Sequence, residues 1–359
     1  MTYAIAAAGT GGHVFPGLAV GEALVERGVS RRDILYVGGN RLEATVYPRE
    51  GFEFLSVELR GLKRSLSLAN LGIPAVVMRA ISTMAAEFRR RDVGAVLGLG
   101  GYVTIPAARA AKRTGAALAV AEQNAEAGLA NAVASRWADV SFGAFAETMR
   151  IRNARWVGNP IRAQIAAFDR DSVRSAAFAR YDLDEAIPVL GVFGGSLGAA
   201  AINDAVTTVA REWPSQPIQI LHLAGSQHAD ELTRRSIDSV VPWKIVGFED
   251  RMDLFYAACD LVVARAGGAV AELSATGTPS ILVPGAFGSG NHQVHNAAAF
   301  RRAGASEVLE QDRIEELGAL VASLIFSPER LALMVAACRS LAKPDAATVI
   351  AATLEDLHG

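Results

Sequence analysis

The sequence predicts an α/β protein of two domains, each built on a doubly wound parallel sheet. Three observations support this class: short apolar runs alternate with helical patterns, the alternation restarts near residue 160, and the chain has 359 residues. A single hydrophobic core stops growing beyond roughly 250 to 300 residues, so two domains are expected. Strands that alternate with helices favour parallel sheets, because each helix carries the chain back to the same end.

Apolar runs mark the predicted strands in both halves. In the first half they lie at 3–8, 34–37, 95–99, 117–121 and 140–142. In the second half they lie at 189–193, 218–224, 244–246, 261–264 and 280–283. A Gly-Asn-Pro turn at 158–160 separates the two sets, and such residues commonly end a structural element. The predicted domains are therefore 1–160, joined by a C-terminal helix at about 344–359, and 161–343.

Composition argues against several classes of protein. With 51% apolar and 20% charged residues the chain resembles a compact globular protein. Its formal net charge of −2 provides no overall field for nucleic acid, so no nucleic-acid partner is predicted. Cys259 and Cys338 lack metal-site or disulfide-framework spacing, which favours a reducing compartment. No long apolar run or signal-peptide pattern appears, so neither a membrane span nor export is expected.

The first predicted strand ends in a glycine loop, GTGGH at 9–13, that opens a helix. Unpaired N–H groups and the helix dipole favour a phosphate at such a turn, although neither the P-loop nor the dinucleotide fingerprint is matched. The same helix end disfavours a protonated imidazole, which makes His13 a candidate general base for a sugar hydroxyl. The alternative is a histidine that caps its own helix or stacks on Phe15.

Two further strand-to-helix turns in the second half also favour anions. The turn at 194–198 adds the hydroxyl of Ser196 to the backbone donors, and the turn at 265–272 carries Glu272. A carboxylate only accepts hydrogen bonds, so Glu272 suits the paired hydroxyls of a ribose. The alternative is an ordinary solvated glutamate. Three such turns indicate a nucleotide diphosphate together with another phosphorylated ligand.

Polar residues follow two other predicted strands, at 98–102 and at 122–124. Ligands of open α/β sheets bind at the carboxyl ends of the strands, so these groups are predicted to line the site. For the Glu122-Gln123-Asn124 segment the alternative is a set of side chains that stabilise a turn. His292 and His295 are spaced to share a helix face, but without a third ligand no metal site is predicted. No cofactor is predicted either.

Basic and apolar side chains lie together between residues 59 and 77, where Lys63 and Arg64 stand near Leu66 and Leu68. This pattern suits an interface with anionic lipid headgroups, to which each nearby cation adds about 1 kcal/mol. The alternative from composition is a solvated loop that leads into a core helix.

Six motifs, taken in order, resemble the MurG family of bacterial glycosyltransferases. They are GTGGHVFPGLAV at 9–20, GLGGYVTIPA at 98–107, EQNAEAGLAN at 122–131, VGNPIR at 157–162, GGSLGA at 194–199 and HQVHNA at 292–297. The resemblance implies the GT-B fold, two Rossmann-like domains with parallel sheets facing across a cleft. It also implies inverting transfer of N-acetylglucosamine from its UDP conjugate to the C4 hydroxyl of the undecaprenyl-diphosphate-linked muramyl-pentapeptide, which converts lipid I to lipid II. The enzyme would act peripherally, at the cytoplasmic face of the cell membrane.

The resemblance further implies roles for individual residues. His13 becomes the leading candidate for the base, and Glu122 its helper. The acceptor side is implied to include Thr10, Gly11, Gly12 and Asn124. The donor side is implied to include Arg162, Ser196, Phe248, Arg265, Gly268, Ala269, Val270, Ala271, Glu272 and Gln293. Glu272 would accept from the ribose, Gln293 would bind the sugar, and the backbone near Phe248 would meet uracil. The 59–77 segment, with Lys63, Arg64, Leu66 and Leu68, would dock on the membrane.

Three rival functions remain open from the sequence. One is a GT-B transferase with another lipid or natural product as acceptor, which assays with several donors and acceptors would distinguish. Another is a sugar-nucleotide epimerase of similar build, which would convert free UDP-N-acetylglucosamine without a lipid. The third is an inactive, binding-only relative, which the presence of His13, Glu272 and Gln293 disfavours.

Overall fold

The computed structural model describes residues 2–58, 73–195, 199–285 and 291–358. The chain forms two compact units. The first comprises Met1–Arg162 with Pro344–Gly359, and the second comprises Ala163–Lys343. The predicted division placed Arg162 in the second domain, whereas this residue closes the first unit.

Strands and helices alternate through most of the chain. The strands are β1 (Thr2–Ala6), β2 (Ile34–Gly38), β3 (Glu53–Ser56), β4 (Val93–Gly98), β5 (Ala117–Glu122), β6 (Val140–Gly143), β7 (Ala154–Trp156), β8 (Val189–Phe193), β9 (Gln219–Leu223), β10 (Trp243–Val246), β11 (Leu261–Ala264), β12 (Ser280–Leu282) and β13 (Ser306–Val308). The α-helices are α1 (Gly11–Glu26), α2 (Glu43–Arg49), α3 (Ile73–Arg90), α4 (Thr104–Thr114), α5 (Leu129–Ala134), α6 (Ala163–Ala166), α7 (Arg170–Tyr181), α8 (Ala200–Glu212), α9 (Ala229–Arg235), α10 (Met252–Ala258), α11 (Ala269–Thr276), α12 (His292–Arg302), α13 (Leu317–Ile325), α14 (Pro328–Leu341) and α15 (Ala346–His358). Short 3-10 helices cover Arg31–Asp33, Ser236–Asp238 and Gln311–Glu316.

The first unit is a parallel sheet in the order β3-β2-β1-β4-β5-β6-β7, covered by helices on both faces. Successive side chains of a strand point to opposite faces, and β1 shows both. Tyr3 and Ile5 belong to a core that includes residues of α1 and α15. Ala4 and Ala6 belong to a second core with residues of α3 and α4. Burial on both faces explains why β1 is largely apolar.

The second unit is a parallel sheet in the order β10-β9-β8-β11-β12-β13. Leu190 and Val192 of β8 pack into a core that includes residues of α8, α13 and α14. On the opposite face Gly191 lies close to Phe255 and Cys259, and no larger residue fits there because an added Cβ would stand 2.3 Å from the cysteine sulfur. In both units the apolar runs recognised in the sequence include every central strand, and the run at 244–246 is the edge strand β10.

The predicted α/β class with parallel sheets is confirmed, and each predicted strand overlaps an observed one. Three further strands, β3, β7 and β13, escaped prediction. Each lies at an edge of its sheet, and each contains exposed or half-buried residues. An edge strand has one neighbour and needs no continuous apolar run, so composition gives it no clear signal.

The C-terminal helix α15 belongs to the first unit. Its apolar side chains Ile350 and Leu354 are buried against the sheet core that also contains Val20 and Leu24 of α1. No single helix within the described ranges is long and apolar enough to cross a bilayer. The segments 311–325 and 328–357 reach the required length and hydropathy only when they are taken together, and they are bent by 96° at the break between them.

We expect Ile350→Ala to destabilise the first unit by about 2 to 4 kcal/mol, because it removes buried methyl groups and leaves a cavity. Ile350 is fully buried, whereas its neighbour Val349 on α15 is 36% exposed. Val349→Ala is therefore the matched control and should cost less than about 1 kcal/mol. Urea unfolding followed by circular dichroism measures both, and equal losses would show that α15 does not seal the core.

Candidate active site

The strand order of the first unit reverses beside β1, which pairs with β2 on one side and with β4 on the other. Ligands of open α/β sheets bind at such a switch point, outside the carboxyl ends of the strands. The loops that meet there follow β1, β2 and β4. They include the predicted glycine loop and the predicted segment 98–102.

A buried carboxylate joins these three loops. Glu43, in the first turn of α2, accepts hydrogen bonds from the Gly9 N–H (3.2 Å) and the Gly39 N–H (3.0 Å). The Tyr102 hydroxyl donates to the same carboxylate at 3.3 Å. Burial and the neighbouring charge of Glu43 raise the pKa of Tyr102, so its hydroxyl remains a donor. Glu43 is fully buried, and its removal would leave the loop amides without an acceptor.

Two glycines allow the loops to approach this closely. An added Cβ at Gly39 would lie 1.9 Å from the Tyr102 hydroxyl. Gly100 adopts a φ of +106°, and a Cβ there would lie 2.8 Å from Nε2 of His13. The same position is 3.4 Å from the Asn131 amide nitrogen. The imidazole of His13 therefore packs over a bare glycine with the Asn131 side chain nearby.

His13 is the third residue of α1, and its own N–H donates to the Thr10 carbonyl at 3.0 Å. Gly11 and Gly12 form the first two positions of the helix, after Thr10 at the N-cap. The ring thus lies in the first helical turn, as the sequence predicted. The positive end of a helix dipole favours a neutral imidazole over its protonated form.

The Glu122 carboxylate is bound entirely within its own loop. One oxygen accepts from the backbone and side-chain amides of Asn124 (3.0 and 2.8 Å), and the other accepts from the Gly128 N–H (3.3 Å) and the Asn131 side chain (2.8 Å). Burial raises the pKa of Glu122 above its ordinary value, and these hydrogen bonds partly offset that effect. Glu122 therefore orients the 122–131 loop, including the Asn131 amide beside Gly100 and His13.

Arg162 lies in the first unit, with its guanidinium 5.7 Å from the centre of the Phe15 ring on α1. The sequence placed Arg162 on the donor side with residues of the second domain. Phe15 lies on the helix that carries His13, and the predicted role of Arg162 in donor binding stays a prediction.

In the second unit, two predicted donor residues, Arg265 and Gln293, lie close to Gly285, beyond the ends of β11 and β12. The Arg265 guanidinium donates to the Val283 carbonyl at 3.0 Å, and the Gly285 N–H donates to the Gln293 amide oxygen at 2.8 Å. A Cβ at Gly285 would lie 3.3 Å from both the guanidinium of Arg265 and the amide oxygen of Gln293. Burial lowers the pKa of Arg265, although a guanidinium stays charged in proteins.

The turn after β11 leads directly into α11. Gly268 is the N-cap, and Ala269, Val270 and Ala271 form the first helical turn with Glu272. Glu272 is half-buried and accepts a hydrogen bond from the Tyr256 hydroxyl at 2.8 Å. A hydrogen bond of this kind fixes the orientation of the carboxylate.

The loop after β10 presents the ring of Phe248, which is 55% exposed. The next residue, Glu249, is buried and accepts from the Arg180 guanidinium (2.9 and 3.1 Å) and the Tyr181 hydroxyl (2.8 Å). Burial alone would raise the pKa of Glu249, but the bonds from Arg180, the Arg251 N–H and Tyr181 outweigh it and lower the pKa. The anchored carboxylate thus holds the loop that exposes Phe248.

Five predicted residues lie outside the described residues: Lys63, Arg64, Leu66, Leu68 and Ser196. Sequence reasoning also missed several groups that shape the site. Glu43 had one available signal, since it follows the Gly38-Gly39 pair at the end of a predicted strand. Arg180 and Tyr181 gave no such signal in the sequence, because they lie at the end of α7 and contact Glu249 only in the folded chain. Across the described ranges, no group of three metal-ligating side chains comes together.

Comparison with known proteins gives the family. The glycosyltransferase family 28 N-terminal domain matches residues 3–142, and the family 28 C-terminal domain matches residues 189–350. A transferase from Halorhodospira halophila is 38% identical, with alignment over 100% of this chain and 99% of the relative. One from Clavibacter sepedonicus is 36% identical over 99% of this chain and 96% of the relative. The chain belongs to the MurG family of glycosyltransferases.

The relatives carry the name UDP-N-acetylglucosamine--N-acetylmuramyl-(pentapeptide) pyrophosphoryl-undecaprenol N-acetylglucosamine transferase. The crystal structure of Acinetobacter baumannii MurG matches with a TM-score of 0.81 and 25% identity, over 99% of this chain and 100% of that one. The predicted resemblance and the GT-B fold are thereby confirmed. A UDP-GlcNAc 2-epimerase from Neisseria meningitidis also matches, with a TM-score of 0.66, but at 12% identity it shares the fold alone.

We expect Glu43→Gln to loosen the glycine loop, because the amide NH₂ would face a backbone N–H that now donates to a carboxylate oxygen. The variant should lose about 1 to 3 kcal/mol of stability, with faster hydrogen exchange at the Gly9 and Gly39 amides. Glu50→Gln is the control, since Glu50 is exposed at the end of the same helix. Unchanged exchange at both glycines in Glu43→Gln would contradict this role.

Proposed function

We propose that the chain transfers N-acetylglucosamine from UDP-N-acetylglucosamine to the C4 hydroxyl of undecaprenyl-diphosphate-linked N-acetylmuramyl-pentapeptide, with inversion. In cell-wall terms it converts lipid I to lipid II. The observation that carries this proposal is the similarity over the full chain to relatives that bear the name of this transferase. The arrangement of His13, Gly100 and Asn131 supplies the chemistry on the acceptor side.

In the proposed reaction the acceptor hydroxyl oxygen attacks the anomeric carbon, the bond from that carbon to the diphosphate breaks, and the hydroxyl proton passes to a base. His13 is the candidate base, since a neutral imidazole at a helix start accepts a proton and is kept neutral by the dipole. The bare surface of Gly100 leaves its Nε2 edge unobstructed by a neighbouring Cβ. Glu122 acts as a positioning residue, because it holds Asn131 beside this edge.

The departing UDP carries growing negative charge on its diphosphate. The N-terminal turns of α11 and α12 present backbone N–H groups, and Arg265 supplies a permanent cation held by the Val283 carbonyl. Preorganised donors of this kind stabilise developing charge without reorganisation at the moment of reaction. We assign Arg265 and the Gly268–Ala271 turn to the diphosphate on this basis, with Ser196 as a further hydroxyl donor.

The remaining donor contacts follow from the side chains already fixed. The Gln293 oxygen is engaged by the Gly285 N–H, which directs its NH₂ group to the sugar hydroxyls. Glu272, oriented by Tyr256, accepts from the two ribose hydroxyls. The loop around the exposed ring of Phe248 meets the uracil. The glycine loop of Thr10, Gly11 and Gly12, together with Asn124, takes the acceptor.

We further propose peripheral binding to the cytoplasmic leaflet through the basic and apolar 59–77 segment. The first turns of α3, which overlap the end of this segment and continue beyond it, support the proposal. Val76 and Met78 are exposed there, with exposed fractions of 36% and 48%, and Arg79 lies beside them. Apolar side chains flanked by a cation suit the boundary between headgroups and acyl chains.

The deciding experiment incubates the purified protein with UDP-N-acetylglucosamine and a detergent-soluble lipid I analogue. A disaccharide product with an inverted anomeric centre is the expected result. Transfer to a different lipid but not to this acceptor would show that the chain is a related transferase with another acceptor. Conversion of free UDP-N-acetylglucosamine to its epimer, without transfer, would replace the proposal with an isomerase.

We expect His13→Ala to lower kcat by about 10²- to 10⁴-fold, the range for loss of a general base, with little change in donor binding. His228→Ala is the control, because His228 lies before α9 outside the proposed machinery. Both are compared by product formation and by UDP-N-acetylglucosamine titration. Full turnover in His13→Ala would assign the base to another group.

We expect Glu272→Gln to raise the KM for UDP-N-acetylglucosamine about tenfold with kcat nearly unchanged, because an amide offers one acceptor to a diol that needs two. The Tyr256 hydroxyl retains an acceptor in this variant, so the fold should persist. The matched control is Glu329→Gln, an exposed carboxylate in the first turn of α14. An unchanged KM for UDP-N-acetylglucosamine in this variant would show that Glu272 does not bind the ribose.

A further inference from the structure

An open pocket of about 590 Å³ lies in the first unit between α5 and the turn that precedes β7. Its volume falls in the range of small-ligand sites. Its wall combines three guanidinium groups with apolar side chains, namely Arg136, Arg150, Arg152, Leu129, Val133 and Ile151. None of these residues was selected from the sequence as part of a site.

Two of the three cations have no counterion in the described structure. Arg150 forms an ion pair with Glu126 at 2.9 Å. For Arg136 and Arg152, no carboxylate among the described residues comes within ion-pair distance. Both side chains are exposed at the pocket, so the pocket has an excess of positive charge. A guanidinium binds carboxylates and phosphates through paired hydrogen bonds, which makes an anionic ligand the chemical match.

The wall is a fixed structure. The Arg152 N–H donates to the hydroxyl of Ser135, the C-cap residue of α5, at 3.2 Å. The Met149 N–H donates to the Ala125 carbonyl at 2.7 Å. Between these anchors Arg150 adopts a φ of +64°, a left-handed conformation that is uncommon for a residue with a side chain. Such conformations persist where surrounding contacts impose them, and they cluster at ligand sites.

The pocket and the proposed base are on different sides of one short helix. Asn131 of α5 lies near Gly100 and His13, whereas Leu129 and Val133 of the same helix line the pocket. A helix with its side chains is about 10 to 12 Å across. A ligand whose reacting group meets His13 therefore needs to extend by roughly that distance to reach the arginines.

We propose that this pocket binds the carboxylate end of the acceptor's peptide stem. The inference rests on the proposed function, in which the acceptor is a muramyl-pentapeptide. Five extended residues span at most about 17 Å, which is enough to pass α5. A peptide joined to the sugar through its amino end has its free carboxylate at the far end, where the arginines would meet it. Leu129 and Met149, exposed by 64% and 43%, provide apolar contact for the stem.

The observations favour a peptide over a lipid surface at this place. A bilayer meets a flat or convex face, whereas here the cations converge on one concave volume. The 59–77 segment and the start of α3 already provide a separate candidate for membrane contact.

The test is a double variant, Arg136→Gln with Arg152→Gln, assayed with two detergent-soluble acceptors. One acceptor has the free pentapeptide, and the other has the same peptide with its carboxylates amidated. The natural protein should prefer the charged stem by about tenfold in acceptor KM, and the double variant should lose that preference while retaining kcat. Arg155→Gln is the control, since Arg155 is exposed on β7 and does not line the pocket.

Each outcome decides the inference. Loss of the preference in the double variant, with retention in the control, supports the peptide site. An equal rise in KM for both acceptors would overturn it. A parallel assay uses vesicles that contain anionic phospholipid, and a defect confined to that assay would also overturn the inference, because it would assign the arginines to the membrane. If the natural protein uses the amidated acceptor as well as the charged one, the peptide-site inference is wrong, but the proposed function still stands. If the natural protein transfers sugar to neither acceptor, both the peptide-site inference and the proposed function are wrong.

Discussion

Backbone amides at the ends of parallel strands need acceptors, and side-chain oxygens supply them in both units. Glu43 accepts from Gly9 and Gly39, and Glu122 accepts from Asn124 and Gly128. In the second unit Gln293 accepts from Gly285. An unpaired buried amide costs about 1 to 3 kcal/mol, so these bonds determine which loop conformation is populated.

This constraint explains the chemical difference between the carboxylates of the chain. Glu43 and Glu122 have their oxygens occupied by the protein, and they act by holding loops and neighbouring side chains in place. Glu272 is half-buried and oriented by the Tyr256 hydroxyl, and under the proposed function it binds a ligand. Sites built on side chains whose own positions are fixed by hydrogen bonds achieve the precision that transfer chemistry requires.

Under the proposed function, the two units divide the substrates according to chemistry. The second unit offers a fixed guanidinium, an oriented amide and an exposed ring, which suit the phosphate, sugar and base of a nucleotide sugar. The first unit offers an imidazole above a glycine and an arginine-lined pocket across α5. With the peptide-stem inference, each chemically distinct part of a muramyl-pentapeptide has a place in the first unit: the hydroxyl at His13, the diphosphate at the glycine loop, and the carboxylate at Arg136 and Arg152.

The sequence alone determined the α/β class, the central strands and the family, because buried parallel strands are largely apolar and the glycine loops form recognisable sequence motifs. It also placed His13 at a helix start, since that position depends only on local spacing. Tertiary structure decided the rest. Glu43 and Asn131 matter because residues far apart in the chain meet at one switch point, and the edge strands form because a neighbour supplies their hydrogen bonds. Arg162 lies over Phe15, and Arg136 and Arg152 face one pocket, because folding brings distant segments together, which no local pattern encodes.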